Sequence, residues 1–300
     1  MFSGFCYRSR AGDLTCPAMS RGFFAPSRLP MKIFNGNSRP PEASRPPQRW
    51  RGFLIVLFSM LCALAAWQLV TAFSSLPAFI LPTPLQVWAR FLLALRDGTL
   101  LRNTAATLEE VLLGLLVGTL FAILTGYWIA RSRTVERFLS PYLVASQAIP
   151  VVAIAPLLVI WLGPGLTSKV LICALIVFFP VLIITVTGLR AVPRSLHDLM
   201  LSLRATRWQI LRYLEIPAAL GIFLGGLRIG ATLAVIGAVV GELVGANRGL
   251  GFLINVGRGQ YDTALVFVAI FALVFIALAL YGIVVWLESR LLRWQEWRAH

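Results

Sequence analysis

A chain of 300 residues that is 58% hydrophobic and only 13% charged, with a mean hydropathy of +0.81, is too apolar for an ordinary soluble domain and has to place its surface in lipid. Its formal charge of +15 arises from 27 Lys and Arg against 12 Asp and Glu, but these bases flank apolar runs and build no nucleic-acid recognition motif, so membrane topology accounts for them better than nucleic acid does. The histidines are His197 and His300, and Lys32 and Lys169 stand outside any Gly-Lys-Ser/Thr context; a histidine-built metal centre, a conventional hydrolytic triad and a P-loop are therefore excluded, and no catalytic, metal or cofactor residue is expected in the chain.

Residues 1–50 are rich in Pro, Ser and Arg and lack periodicity, which reads as a disordered basic tail. No continuous apolar core precedes Phe53, so no cleavable signal peptide is expected. Residues 51–297 read as one membrane domain. A helix needs roughly 20 apolar residues to cross about 30 Å of hydrocarbon, and about six transmembrane helices are expected: Phe53 to Phe73, Thr104 to Ala130, Phe138 to Leu162, Val170 to Leu189, Ala218 to Val244 and Thr263 to Leu287. Pro150 and Pro156 interrupt the third.

Glu109 and Glu110 open the second span, where carboxylates suit the positive end of a helix dipole, and read as structural. Small residues recur every four positions, as Gly114 and Gly118 in the second span and as Gly221 and Gly225, Gly226 and Gly230, then Gly237, Gly241 and Gly245, in the fifth. Such rows let helix backbones approach closely, either for packing inside one subunit or as a sliding contact along a pathway. Charges inside spans are functional candidates. Arg228 either attracts an anionic solute or bonds to a neighbouring helix; Glu242, near the far end of the same span, either serves a gate or is solvated at the interface. The four cysteines show no metal or disulfide spacing.

Arginine sets the orientation. Twenty Lys and Arg lie before the first span, after the second, between the fourth and fifth and at the end of the chain, against six on the other side. The positive-inside rule therefore places both termini, and the loop from Ala191 to Pro217, in the cytoplasm. Within that loop Leu196, Leu199, Met200 and Leu203 fall at helical spacing, and Trp208, Leu211 and Tyr213 follow Ala205, so two short amphipathic helices joined near Arg204 are expected. An apolar face on such a loop suits a soluble partner's groove.

The chain resembles the membrane permease subunits of bacterial ATP-binding cassette importers, in the nitrate, sulfonate, taurine and thiamine-precursor branch, over most of residues 53–297. The likeness is carried by LPTP at Leu81 to Pro84, IPVVAIAPLLVIWLGPG at Ile149 to Gly165 and GELVGANRGLG at Gly241 to Gly251. The family's coupling loop carries Glu-Ala-Ala, then Gly, then Ile-x-Leu-Pro; aligned on Pro217, this chain has Asp198, Leu199 and Met200, then Arg204, then Leu214 and Ile216. Arg204 is the main departure, because the family's glycine permits a turn with φ > 0 that arginine adopts only at a cost.

The resemblance implies an all-α integral membrane protein of the type I importer permease fold with cytoplasmic coupling helices, in the bacterial inner membrane. It implies ATPase subunits, holding ATP and Mg, docked on Asp198, Leu199, Met200, Leu203, Arg204, Ala205, Trp208 and Pro217. It also implies a periplasmic or extracellular solute-binding protein and a second permease copy, in a homodimer, with a small solute as cargo. Arg228 and Glu242 are the pathway or gate candidates. The alternative is an ion-gradient-driven secondary transporter, whose folds usually show paired broken spans and acidic or histidine relays near the midplane; the expected spans carry no acid there.

Overall fold

The computed structural model describes residues 49–73, 77, 79–148 and 150–292; the expected tail lies outside them apart from its last two residues, which already belong to a helix. The chain divides into two units, Met1–Leu54 and Ile55–His300, and all packing described below lies within the second. Among the described residues every regular element is helical: α1 Arg49–Phe73, α2 Pro84–Arg96, α3 Thr99–Arg131, α4 Arg133–Ala148, α5 Val151–Leu162, α6 Leu166–Arg190, α7 Arg194–Ser202, α8 Arg207–Ile210, a π turn Leu211–Glu215, α9 Ile216–Gly245, α10 Leu250–Gly259 and α11 Thr263–Leu291.

Five described helical runs are long and apolar enough to cross a membrane: Ile55–Phe73, Thr99–Arg131, Leu166–Arg190, Arg207–Gly245 and Thr263–Leu291. The span expected over residues 138–162 does not form as one helix. It breaks into α4 and α5 around Pro150, which takes an extended conformation (ψ 107°), and a proline restrains its predecessor from helix while supplying no N–H to continue one. At 12 residues, α5 is about 18 Å long and too short to span by itself; α4 starts beside the end of α6, where Glu136 meets Arg190, and α5 ends beside the far end of α9, where Val159 lies against Gly245, so the two cross the bundle together as one broken span.

Local signals fix the helix starts. Thr83 and Gln86 form a reciprocal cap at the head of α2, where Gln86 N–H donates to Thr83 Oγ1 (3.3 Å) and Thr83 N–H to Gln86 Oε1 (2.9 Å), with Pro84 in the first turn. Asp262 caps α11 by accepting from Leu265 N–H at 3.0 Å, and its other oxygen lies 2.6 Å from Arg90 Nε of α2, so one carboxylate starts a span and ties α2 to it.

The core forms where α3 and α9 pack on α6, around Val111, Cys173, Val177, Val181, Ala231 and Ala234. Glycine makes the approach close. A Cβ on Gly118 would meet the Ala174 carbonyl oxygen at 2.7 Å, and one on Gly237 would meet the Cys173 Cα at 2.8 Å, so two of the expected small-residue rows are packing surfaces pressed against α6 from either side.

Candidate docking surface and gate

The loop between α6 and α9 sits at one end of the bundle. α7 ends at Leu203 in a Schellman motif: Ala205 N–H donates to the Met200 carbonyl (3.0 Å) and Arg204 N–H to the Leu201 carbonyl (2.9 Å). That geometry demands a left-handed residue between them, and Arg204 supplies it at φ +55°. The join expected near Arg204 is therefore real, and arginine sits in the conformation glycine would adopt without strain. The second helix is not separate, however. Thr206 and Gln209 cap α8 reciprocally (3.3 and 2.7 Å), and α8 then passes through the π turn straight into α9. The wider turn relieves the clash between the Pro217 ring and the preceding turn that an unbroken α-helix would impose.

Of the residues expected to dock a partner, Asp198, Leu199, Leu203, Arg204 and Trp208 are exposed, whereas Met200, Ala205 and Pro217 are half-buried. Leu203 and Trp208 expose 69% and 66% of their surface; Leu203 precedes the Arg207–Gly245 run and Trp208 stands in its first turn. Beneath this surface lies Glu215, a residue sequence reasoning passed over. It is buried in the π turn, with its two oxygens 3.7 Å from Arg131 Nη2 and 3.8 Å from His197 Nε2, so it stands between the end of α3 and α7. Alongside, the Arg190 guanidinium hydrogen-bonds Glu136 and holds its carboxyl below the usual carboxylate range, joining the end of α6 to α4.

Glu242 lies at the opposite end and is wholly buried. Its Oε1 accepts from Thr107 Oγ1 at 2.6 Å and its Oε2 from Gly251 N–H at 2.5 Å, while Leu250 N–H donates to Thr107 Oγ1 and Gly249 N–H to Asn103 Oδ1, each at 2.8 Å. The loop after α9 is thereby folded onto α3 through its own backbone donors. Interface solvation of Glu242 is ruled out by this burial. Adjacent to it, Lys169 Nζ of α6 lies 2.6 Å from Glu110 Oε1 of α3, with both side chains almost fully buried. Glu110 is therefore no helix-dipole residue: α3 begins at Thr99, three turns earlier, and the carboxylate faces inward to an ammonium. Its Oε2 accepts no hydrogen bond among the described residues.

Arg228 bonds to Glu288 of α11, and its guanidinium carbon lies 5.4 Å from the centre of the Tyr281 ring. It joins α9 to α11. Arg228 and Glu242 are not brought together, in keeping with their separation of about 21 Å along one helix. A polar stripe was present in the sequence to mark the buried cluster: Asn103, Thr107 and Glu110 fall at i, i+4 and i+7 on α3, and Lys169 is one of two lysines in the chain.

Comparison with known proteins agrees with this architecture. The model of the family described as binding-protein-dependent transport system inner membrane component matches residues 111–293. The riboflavin transport system permease protein RibX of Chloroflexus aurantiacus is 48% identical over 237 residues, covering 79% of this chain and 88% of its own length. The formylaminopyrimidine transport permease protein ThiX of Halalkalibacterium halodurans is 36% identical over 79% of this chain and 94% of its own. Among solved structures, a chain of the inward-facing MetNI methionine ABC transporter superposes with a TM-score of 0.54 at 19% identity, over 66% of this chain and 96% of that one, which shows a shared fold.

Proposed function

The chain belongs to the binding-protein-dependent transport system inner membrane component family and is a transport permease; from that premise we propose that separate ATPase subunits drive it by docking on the loop from Asp198 to Pro217. The observation that carries this reading is the exposed apolar set Leu199, Leu203 and Trp208, held on the Schellman turn after α7 and the capped first turn of α8, where the chain enters the spanning run. Large apolar side chains outside the spans are costly unless a partner covers them. The loop side is the cytoplasm, with both termini on it, as the excess of arginine there supports. ATP and Mg are held by the partner subunits, since the chain has no P-loop.

In this reading two copies of the chain form the pathway, and a solute-binding protein delivers cargo to the end that holds Glu242 and the 245–251 loop. Closure of the ATPase pair pushes α7, and movement of α9 carries the displacement to the Glu242 cluster, about 50 Å away along the continuous helical run that starts at Arg207, at about 1.5 Å per residue. The relatives named for riboflavin and formylaminopyrimidine favour a small nitrogen-heteroaromatic cargo over the nitrate, sulfonate and taurine part of the expected range. Reconstitution tests the reading. Proteoliposomes containing only this chain should not concentrate solute, and adding the ATPase, ATP and binding protein should confer uptake; concentrative uptake by the chain alone on a proton or sodium gradient would overturn it.

A further inference from the structure

Two concave surfaces on the loop end of the bundle are continuous. An apolar trough of about 370 Å³ runs between α3, α6 and α9, lined by residues that include Ile123, Leu124, Leu189, Leu220 and Phe223. It opens into a second hollow of about 380 Å³ lined by Tyr127, Trp128, Arg131, Arg207, Trp208 and Leu211, and the two share Tyr127, Trp128 and Leu211. The trough lies along the spanning lengths of α3 and α9. The hollow lies where those spans end, with two tryptophans and a tyrosine of the kind that marks a membrane boundary.

Charge is divided in the same way. Arg131 and Arg207 line the hollow and no Asp or Glu does; Glu215, which approaches Arg131 at 3.7 Å, is buried behind it. The Arg131 guanidinium is oriented in advance, donating from Nε and Nη2 to Tyr127 Oη at 3.1 and 2.7 Å and lying 5.1 Å from the Tyr127 ring centre. Arg207 makes no ion pair among the described residues.

We infer that this composite groove is a binding site for an anionic phospholipid, with an acyl chain in the trough and the headgroup phosphate between Arg131 and Arg207. An acyl chain is the apolar, flexible occupant available at membrane depth, and a phosphate is the anion that two guanidinium groups at the boundary recognise. A soluble ATPase cannot reach Ile123 or Leu220 within the span. The inference rests on the membrane placement in the proposed function; the hollow shares Trp208 with the proposed docking face, so its test is run without the ATPase.

Native mass spectrometry of the purified chain, without ATPase, ATP or cargo, in equal amounts of phosphatidylglycerol and phosphatidylcholine tests it. The chain should retain phosphatidylglycerol preferentially. Arg207→Gln, which breaks no ion pair, should weaken that preference about five-fold; Leu220→Trp, filling the trough, should lower retention of both lipids; and Arg102→Gln, at the other end of α3, should change neither. Equal retention of the two lipids by the unmodified chain, or an unchanged preference in Arg207→Gln, would overturn the site. So would lipid retention that stays constant while Arg207→Gln and Leu220→Trp change the dimer fraction or ATPase recovery, which would assign the groove to a second copy or to the ATPase. Failure of ATP-driven uptake leaves this readout untouched, so the two readings fail separately.

Discussion

Thr107 donates its hydroxyl to Glu242 across 2.6 Å, although the two residues stand 135 positions apart, and the same hydroxyl oxygen accepts the backbone N–H of Leu250. One side chain therefore ties α3 to both α9 and the loop that follows it. If this end of the bundle opens and closes during transport, these bonds have to break and re-form with it.

Glu242→Gln keeps the shape of the side chain but replaces one acceptor oxygen with a donor. Either Thr107 or the Gly251 N–H then loses its acceptor, which costs a buried donor about 2 kcal/mol. The subunit should still assemble, amide exchange at Leu250 and Gly251 should quicken by roughly thirty-fold, and the ATPase activity stimulated by the binding protein should change. Unaltered exchange and unaltered stimulation would leave Glu242 without a role in the gate.

The Lys169–Glu110 pair makes a distinct prediction, because removing one member of a buried pair strands the other charge. Lys169→Met should destabilise the chain by about 3–5 kcal/mol, whereas Lys169→Met combined with Glu110→Met should recover most of the loss. Thermal unfolding in detergent measures both. A double variant as unstable as the single one would mean that the pair is held for a reason other than charge balance.

Arg204 carries the cost of a left-handed backbone. Arg204→Gly should stabilise the loop by about 1 kcal/mol, and Arg204→Val, whose branched side chain is least at ease at positive φ, should destabilise it. Neither should weaken ATPase recovery by much, since the apolar neighbours and not this charge form the docking face. Loss of the complex in Arg204→Gly would place the guanidinium among the anchors.

Arg228 and Glu288 should show favourable coupling in a double-mutant cycle on stability, the double variant losing less than the sum of the two single losses. An anion-attracting role for Arg228 would instead appear as a raised KM for cargo in Arg228→Gln with stability unchanged.

The spans were legible because lipid imposes a long apolar run, and α3, α6, α9 and α11 fall where hydropathy placed them, with ends extended by a few residues. Arg204's left-handed turn was anticipated through the resemblance, which aligns this position with the family's glycine; spacing in the loop indicated only a join between two helices there. The third expected span was misjudged because hydropathy does not register a chain break, and Pro150 ended one helix and preceded another within a continuously apolar stretch. The second loop helix was misjudged because the π turn lets a helix run on into Pro217, where a proline normally signals a start. The buried cluster was legible only as the polar stripe Asn103, Thr107 and Glu110 on α3; that Lys169 and Glu242 join it was not, because they come from two other helices and only packing brings them within bonding distance.

Docking on the loop is tested most directly by Leu203→Ala combined with Trp208→Ala. Both side chains are exposed, so the variant should fold and insert normally. Packed interface anchors are commonly worth about 2 kcal/mol or more apiece, and the pair should therefore detach the ATPase. Co-purification of the ATPase and ATP-driven uptake into proteoliposomes are measured together, and both should be lost; an intact complex with full uptake would contradict docking on this part of the chain.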